Sequence, residues 1–369
     1  MKIPLANPAR ELEYINNFDS KIIKKINSGI YVGGNDVLEF ENSLAKFLNK
    51  KYCITLNSGT DALLFSLIAA GVKKGDKVIV PSFTFFATVE VVMHLGAIPI
   101  FVDINPKTYT LDIEHLKSLL SKSVKAVIPV HMFGNNAEIY SVMEICKPYG
   151  TKVIEDVAQA FGSRTSKNQK LGTIGEFGAF SFFPSKTLGG IGDGGCITTD
   201  SFSSYKMILK LRNHGIGKNY EHELIGSNSR LDSLNAFVLK EKLKIFNKVE
   251  QSRNNFYDYY IKNLTSVDWI TLPVKHNKNI IFNYFTIQVP ASIRNKFLIY
   301  LNNKSIGASI YYKKPLHLQK AVLNYFNKIE LKNTEKVSKR VLSLPCFAFP
   351  EEKELDYLID TIVRFKRKN

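Results

Sequence analysis

Between residues 53 and 183 the chain alternates short apolar runs with segments of helical period, and this alternation restricts the fold more than any other feature. Residues 53–56, 77–81, 99–102, 126–130, a run opening at Val153, and 177–183 read as strands, with helices at 62–70, 84–95, 113–120 and 137–149 between them. Strands separated by helices lie parallel, because a parallel crossover needs about a dozen residues and its helix covers a sheet face. The expected fold is therefore α/β, a mostly parallel sheet with helices on both sides. Ligands of such sheets gather at the carboxyl ends of strands. Thr60, Phe85, Asp156 and Gln159 all fall just past a strand end.

The densest chemistry lies in residues 153–199. One strand delivers Asp156 and Gln159, and the next presents Lys186 from a turn holding Gly189, Gly190, Gly192, Gly194 and Gly195. A lysine can supply the amine of an imine, and a carboxylate can keep a pyridine nitrogen protonated so that the ring accepts electrons. The same two residues also describe a buried Asp and a surface Lys in an ordinary α/β domain. Upstream, Asn57-Ser58-Gly59-Thr60-Asp61 separates a strand from a helix. Gly59 permits a tight turn, and Thr60 offers a hydroxyl beside free amides, a setting that suits a phosphate and equally suits plain capping. Phe83 or Phe86 would pack inward, whereas an aromatic exposed at the strand end, for which Phe85 is the candidate, could lie flat on a planar ring. Before these, Asn35 is placed as the cap of a helix over 35–48, and the glycine-rich turn ahead of it either connects or brings Tyr31 to a site.

Composition removes several function classes. A chain of 369 residues with 45% hydrophobic content builds a large core, divided here into residues 1–250 and a smaller α+β part, 251–369. No stretch approaches the ~20 apolar residues of a membrane span. The start, MKIPLANPAR, lacks a signal peptide's apolar segment. Four cysteines without a CxxC pair argue against a zinc site or a disulfide framework and fit a reducing cytosol, so no metal and a cytoplasmic location are expected. The net charge of +17 comes mostly from scattered lysines, which reads as a solvated surface rather than a nucleic-acid or membrane face. The short tail Arg364, Lys366, Arg367, Lys368 reads the same way.

The stretches NSGTDAL (57–63), PSFTFFAT (81–88), EDVAQAFG (155–162), SFFPSKTLGGIGDGGCITTD (181–200) and GSNSRLDSLNAF (226–237) carry a resemblance over essentially the whole chain. In order and spacing they are similar to the DegT/DnrJ/EryC1/StrS family of pyridoxal-phosphate sugar aminotransferases. The resemblance implies the fold of aspartate aminotransferase (fold type I), with a mixed, mostly parallel sheet. It implies that Lys186 bonds the cofactor and later carries the proton, that Asp156 pairs with the ring nitrogen and that Gln159 bonds the ring hydroxyl. Phe85 would stack on the ring, and Gly59, Thr60 and Ser181 would hold the phosphate. Asn228 would reach the phosphate of a neighbouring subunit, making a homodimer with shared sites, although it also suits a helix cap before Leu231.

The implied reaction moves the amine of L-glutamate to a keto-sugar on a nucleotide diphosphate, for an aminosugar of a surface glycan such as lipopolysaccharide. The run 228–232 looks more like relatives that aminate C3 of the hexose than C4. Many relatives carry His-Tyr where this chain has Tyr311-Tyr312, and loss of that His favours a dTDP-3-keto-6-deoxyhexose over a UDP-linked 3-keto uronate. Arg230 could reach a uronate carboxylate or form a structural ion pair. Tyr311, Tyr312 and His317 are either substrate-facing or ordinary loop and core residues. A dehydratase of the same fold would carry His in place of Lys186, and a silent binding relative would have lost Asp156 or Lys186.

Overall fold

The computed structural model describes residues 1–365; Lys366, Arg367 and Lys368 of the basic tail lie outside the described residues. Seven strands form the main sheet: β1 (Tyr52–Leu56), β2 (Lys77–Pro81), β3 (Ile98–Val102), β4 (Val124–Val127), β5 (Lys152–Asp156), β6 (Phe177–Ser181) and β7 (Gly195–Thr199). Their order is β1-β7-β6-β5-β4-β2-β3. β7 pairs antiparallel with both β1 and β6, while every other neighbouring pair is parallel. The mixed α/β sheet expected from the sequence is thus present, with a single reversed strand. Side chains leave it alternately on two faces, each covered by helices. Ile79, Val127 and Val153 enter one buried cluster, whereas Val78, Val80, Ala126 and Ile154 enter another. Burial on both faces explains why these strands are continuous apolar runs.

A third cluster lies in the C-terminal part around β8 (Phe285–Gln288) and β9 (Val341–Leu344), which pair antiparallel. The helix Phe246–Leu264 spans two of these cores: Phe246 and Val249 pack in the first, Phe256, Tyr260 and Leu264 in the third. Residues 250 and 251, where the sequence suggests a division, lie within this one helix. No helix among the described residues is long and apolar enough to cross a membrane, and no group of three His, Cys, Asp or Glu among them could hold a metal ion.

Two local expectations shift. The helix Asn35–Leu48 starts at Asn35, and the cap position is Gly34, at φ 79°, a backbone region that glycine enters without strain. The helix expected from 84 begins at Ala87 instead, leaving Thr84 and Phe85 on the turn after β2. At the N-terminus Glu11 is buried and its carboxylate meets Lys242 Nζ at 2.6 Å. Lys242 Nζ also donates to the Gly189 carbonyl at 2.7 Å. This buried pair offsets its desolvation by bonding a third group, and it ties the first turn of the chain to the glycine turn beyond Lys186.

Candidate active site

At the carboxyl end of β1 the chain turns into the helix Gly59–Ala69, where Ser58 Oγ accepts the Asp61 N–H at 3.1 Å. A side chain at Gly59 would put its Cβ 2.8 Å from Ser181 Cβ, so β6 can approach the start of this helix only because residue 59 is glycine. The unpaired amides of this helix start, with Thr60 and Ser181, open onto a cavity of about 720 Å³. Gly59→Ala is expected to cost about 1–3 kcal/mol through overpacking, measured by urea unfolding, and to loosen any anion held at the helix start.

β5 ends in Asp156 on the cavity wall. Its Oδ1 accepts the Ala158 N–H at 3.1 Å and its Oδ2 the Thr88 hydroxyl at 3.1 Å. Burial raises the Asp156 pKa, and the Ala158 N–H, Thr88, Lys186 and His131 offset this only in part. Behind it stands a buried dyad. His131 Nδ1 accepts the Ala137 N–H at 3.1 Å, which puts the ring proton on Nε2, 3.0 Å from Glu155 Oε2. Glu155 also accepts N–H groups of Gly172, Ile174 and Gly175 at 2.8, 2.7 and 2.8 Å. Burial pushes its carboxyl up, but His131 and these amides outweigh it and hold the pKa below the usual range. The dyad fixes the strand from which Asp156 projects.

Lys186, half-buried after β6, faces the same cavity. Desolvation lowers its pKa to about 8 although Asp156 opposes the shift, so the free amine is a minority form near physiological pH but far more abundant than for an ordinary lysine. Gln159 receives the Phe133 N–H at Oε1, 3.2 Å, and donates from Nε2 to the Tyr312 phenol at 3.0 Å. Phe85 is 58% exposed and lines the cavity, Phe83 is fully buried, and Phe86, partly buried against the core, also reaches the cavity wall.

Gly59, Thr60, Phe85, Asp156, Gln159, Ser181, Lys186, Tyr311 and Tyr312 therefore converge on one space. Four sequence candidates do not line it. Tyr31 is exposed and bonds the Ile26 carbonyl at 3.0 Å. Arg230 is exposed and bonds Asn213 Oδ1 at 2.9 Å, and Asn228 is exposed beside it. The cap of the helix Ser233–Lys244 is Asp232, which accepts the Asn235 N–H at 2.7 Å, and not Asn228. His317 is buried under the wall, against Ser82.

Sequence reasoning passed over Ser185, Tyr284, Lys314 and Gln319, which also line the cavity. Tyr284 Oη meets Ser185 Oγ at 3.0 Å, and burial pushes its phenol up to about 12, so it stays protonated. No local pattern marks Tyr284, because it arrives from a strand edge about a hundred residues from Lys186. Thr88 lies within the quoted 81–88 stretch, where a hydroxyl aimed at Asp156 was available as a signal.

An amine that is readily neutral, a carboxylate held by Thr88, an outward aromatic and a helix start for an anion form the donor set that a phosphorylated pyridine aldehyde requires. The comparisons agree. Residues 13–363 match the DegT/DnrJ/EryC1/StrS aminotransferase family. UDP-2-acetamido-2-deoxy-3-oxo-D-glucuronate aminotransferase of Pseudomonas aeruginosa is 36% identical over 89% of this chain and 90% of its own length. dTDP-3-amino-3,6-dideoxy-alpha-D-galactopyranose transaminase of Aneurinibacillus thermoaerophilus is 33% identical over 96% of each chain. The solved NtdA of Bacillus subtilis with bound cofactor PMP superposes with a TM-score of 0.88 at 29% identity, over 98% of this chain and 84% of that one. The chain belongs to the DegT/DnrJ/EryC1/StrS aminotransferase family and is a pyridoxal-phosphate-dependent transaminase.

Proposed function

We propose that this enzyme transfers the amine of L-glutamate to C3 of a nucleotide-linked 3-keto sugar, with a dTDP-3-keto-6-deoxyhexose as the favoured acceptor. The observation that carries the reading is the meeting of Lys186 and Asp156 in one cavity, each with its pKa displaced by burial. Two relatives that act on or make C3-substituted sugars, one UDP-linked and one dTDP-linked, support C3.

Bound pyridoxal phosphate supplies an electron-accepting ring that stabilises the charge left when a substrate carbon gives up its proton. The chain's own residues do the rest. Gly59, Thr60 and Ser181 would hold the phosphate at the helix start. Asp156 would pair with the ring nitrogen, its orientation fixed by Thr88 and the Ala158 amide. Gln159 would bond the ring hydroxyl, and Phe85 would cover the ring. Lys186 Nζ would hold the proton in transit, a task its pKa of about 8 suits.

Tyr31, Asn228 and Arg230 fit a homodimer in which each surface completes the partner's cavity. Tyr31 O accepts the Ser233 N–H at 2.9 Å, which places it on the same surface as 228–232. Exposed Ile23, Ile26, Val32, Phe183 and Ile191 are apolar side chains that such a dimer would cover. A 3-keto uronate is the second reading. The Pseudomonas relative favours it, as does Lys314, a cation on the cavity wall suited to a carboxylate. In this reading the part up to residue 250 would carry the cofactor site, and Tyr284, Tyr311, Tyr312, Lys314 and Gln319 of the C-terminal part would complete its wall.

Incubation with glutamate and a panel of keto-sugar nucleotides tests this, with the amine position read by mass spectrometry and NMR. The dTDP-deoxyhexose should be aminated at C3 fastest. Faster turnover of the uronate or amination at C4 would replace the assigned acceptor, and a visible band unaffected by glutamate would end the transaminase reading of this cavity.

A further inference from the structure

His317 is 2% exposed, outside the cavity, and it forms a polar junction between the end of β2 and the C-terminal part. Its backbone N–H donates to Ser82 Oγ at 3.1 Å, and its Nδ1 lies 2.6 Å from the same oxygen. Glu335 Oε1, a carboxylate oxygen that can only accept, lies 3.3 Å from Nε2, so the ring proton resides there, and Nδ1 of the neutral ring accepts the Ser82 hydroxyl. The Leu316 N–H adds a bond to the Ser82 carbonyl at 2.9 Å. Ser82 in turn donates its N–H to the Val102 carbonyl at 3.2 Å, which locks it to the end of β3. One residue beyond, Asp103 accepts the N–H groups of Asn333 and Thr334 at 3.0 and 2.8 Å and the Thr334 hydroxyl at 2.7 Å. The ends of β2 and β3 thus grip the C-terminal part through buried polar bonds.

A serine, a histidine and a glutamate in line resemble a hydrolytic triad, but the buried geometry excludes that role. Ser82 is fully buried, does not line the cavity, and has its oxygen occupied by the His317 amide. Position along the chain gives the junction its consequence. Three residues after Ser82 comes Phe85, on one wall, and the segment 311–319 supplies Tyr312, Lys314 and Gln319 to the other. Apolar packing of Leu316 alone would allow this loop to slide, whereas a buried donor and acceptor define one register.

We propose that His317 is a positioning residue that pins the segment 311–319 to the end of β2 and so sets the width of the acceptor-binding half of the cavity. The proposal rests on the reading of that cavity as the active site. It acts through Tyr312, Lys314 and Gln319 and touches neither cofactor nor sugar.

Hydrogen exchange on the holoenzyme, with steady-state kinetics beside it, tests the pin. In H317A and S82A the backbone amide at position 317 should exchange about tenfold faster or more while β4 and β5 keep their protection. The KM for the keto-sugar nucleotide should rise about tenfold, more than kcat falls. H317N, whose Oδ1 can accept the Ser82 hydroxyl, should recover most of both, which a general loss of packing would not allow. S82A removes one oxygen and serves where H317A fails to fold. Unchanged exchange and KM in S82A, or an H317N as impaired as H317A, would overturn the pin. Failure of wild-type enzyme to respond to glutamate would instead count against the amination reading, with the exchange comparison still deciding the pin.

Discussion

Lys186→Ala is expected to lose turnover by about 10³-fold or more and to lose the visible band that depends on the lysine–cofactor bond. Desolvation brings the ammonium down to about 8, against the pull of Asp156. A lysine attacks a carbonyl only as the free amine, so cofactor capture by apoenzyme should be slow in acid and climb with pH through about 8. Below that value Nζ is protonated and inert, and above it the amine is available. Absorbance during reconstitution measures both effects at once. A variant that captured cofactor with the same spectrum and pH profile would remove Lys186 from the assigned role.

Asp156→Asn gives the second large effect, a fall in kcat of about 10²–10³, the order seen when a preorganised electrostatic partner is removed. Asn keeps the shape and one acceptor oxygen, so it can still receive the Ala158 N–H while its Nδ2 donates to the Thr88 hydroxyl, which is free to turn its own proton towards Thr84. It lacks the charge that would keep a ring nitrogen protonated. Stability should move the other way. Burial raises the Asp156 pKa, so folding favours its protonated form and the ionised carboxylate weakens the apoprotein above its unfolded-state pKa. Apo Asp156→Asn should therefore resist urea at neutral pH at least as well as apo wild type. Full activity in this variant would refute the pairing of Asp156 with the ring.

The sheet was legible because its strands are buried on both faces, so runs such as Lys77–Pro81 carry the signal without alternation. Asp156, Lys186 and Gly59 were legible because each sits where a strand run stops. The reversed direction of β7 was not, since a glycine turn between β6 and β7 is compatible with either a hairpin or a crossover start. The role of His317 was illegible because its partner, Ser82, lies more than two hundred positions away. Asn35 misled because a good capping side chain sits one place beyond a glycine that already takes the cap geometry. Long-range polar partners and left-handed turns are set by tertiary fit, which no local window contains.

The edge strand β1 has only β7 for a neighbour, with Leu56 opposite Gly195. During synthesis the segment that leads into the phosphate cradle must wait for the ribosome to finish everything between them, on the order of ten seconds at ordinary elongation rates. Until then its amides and carbonyls are an open template for other chains, and the nascent protein cannot yet retain its vitamin. Expression at lower temperature or with chaperone support should raise soluble yield for this reason, and a fragment ending before Gly195 leaves that edge bare.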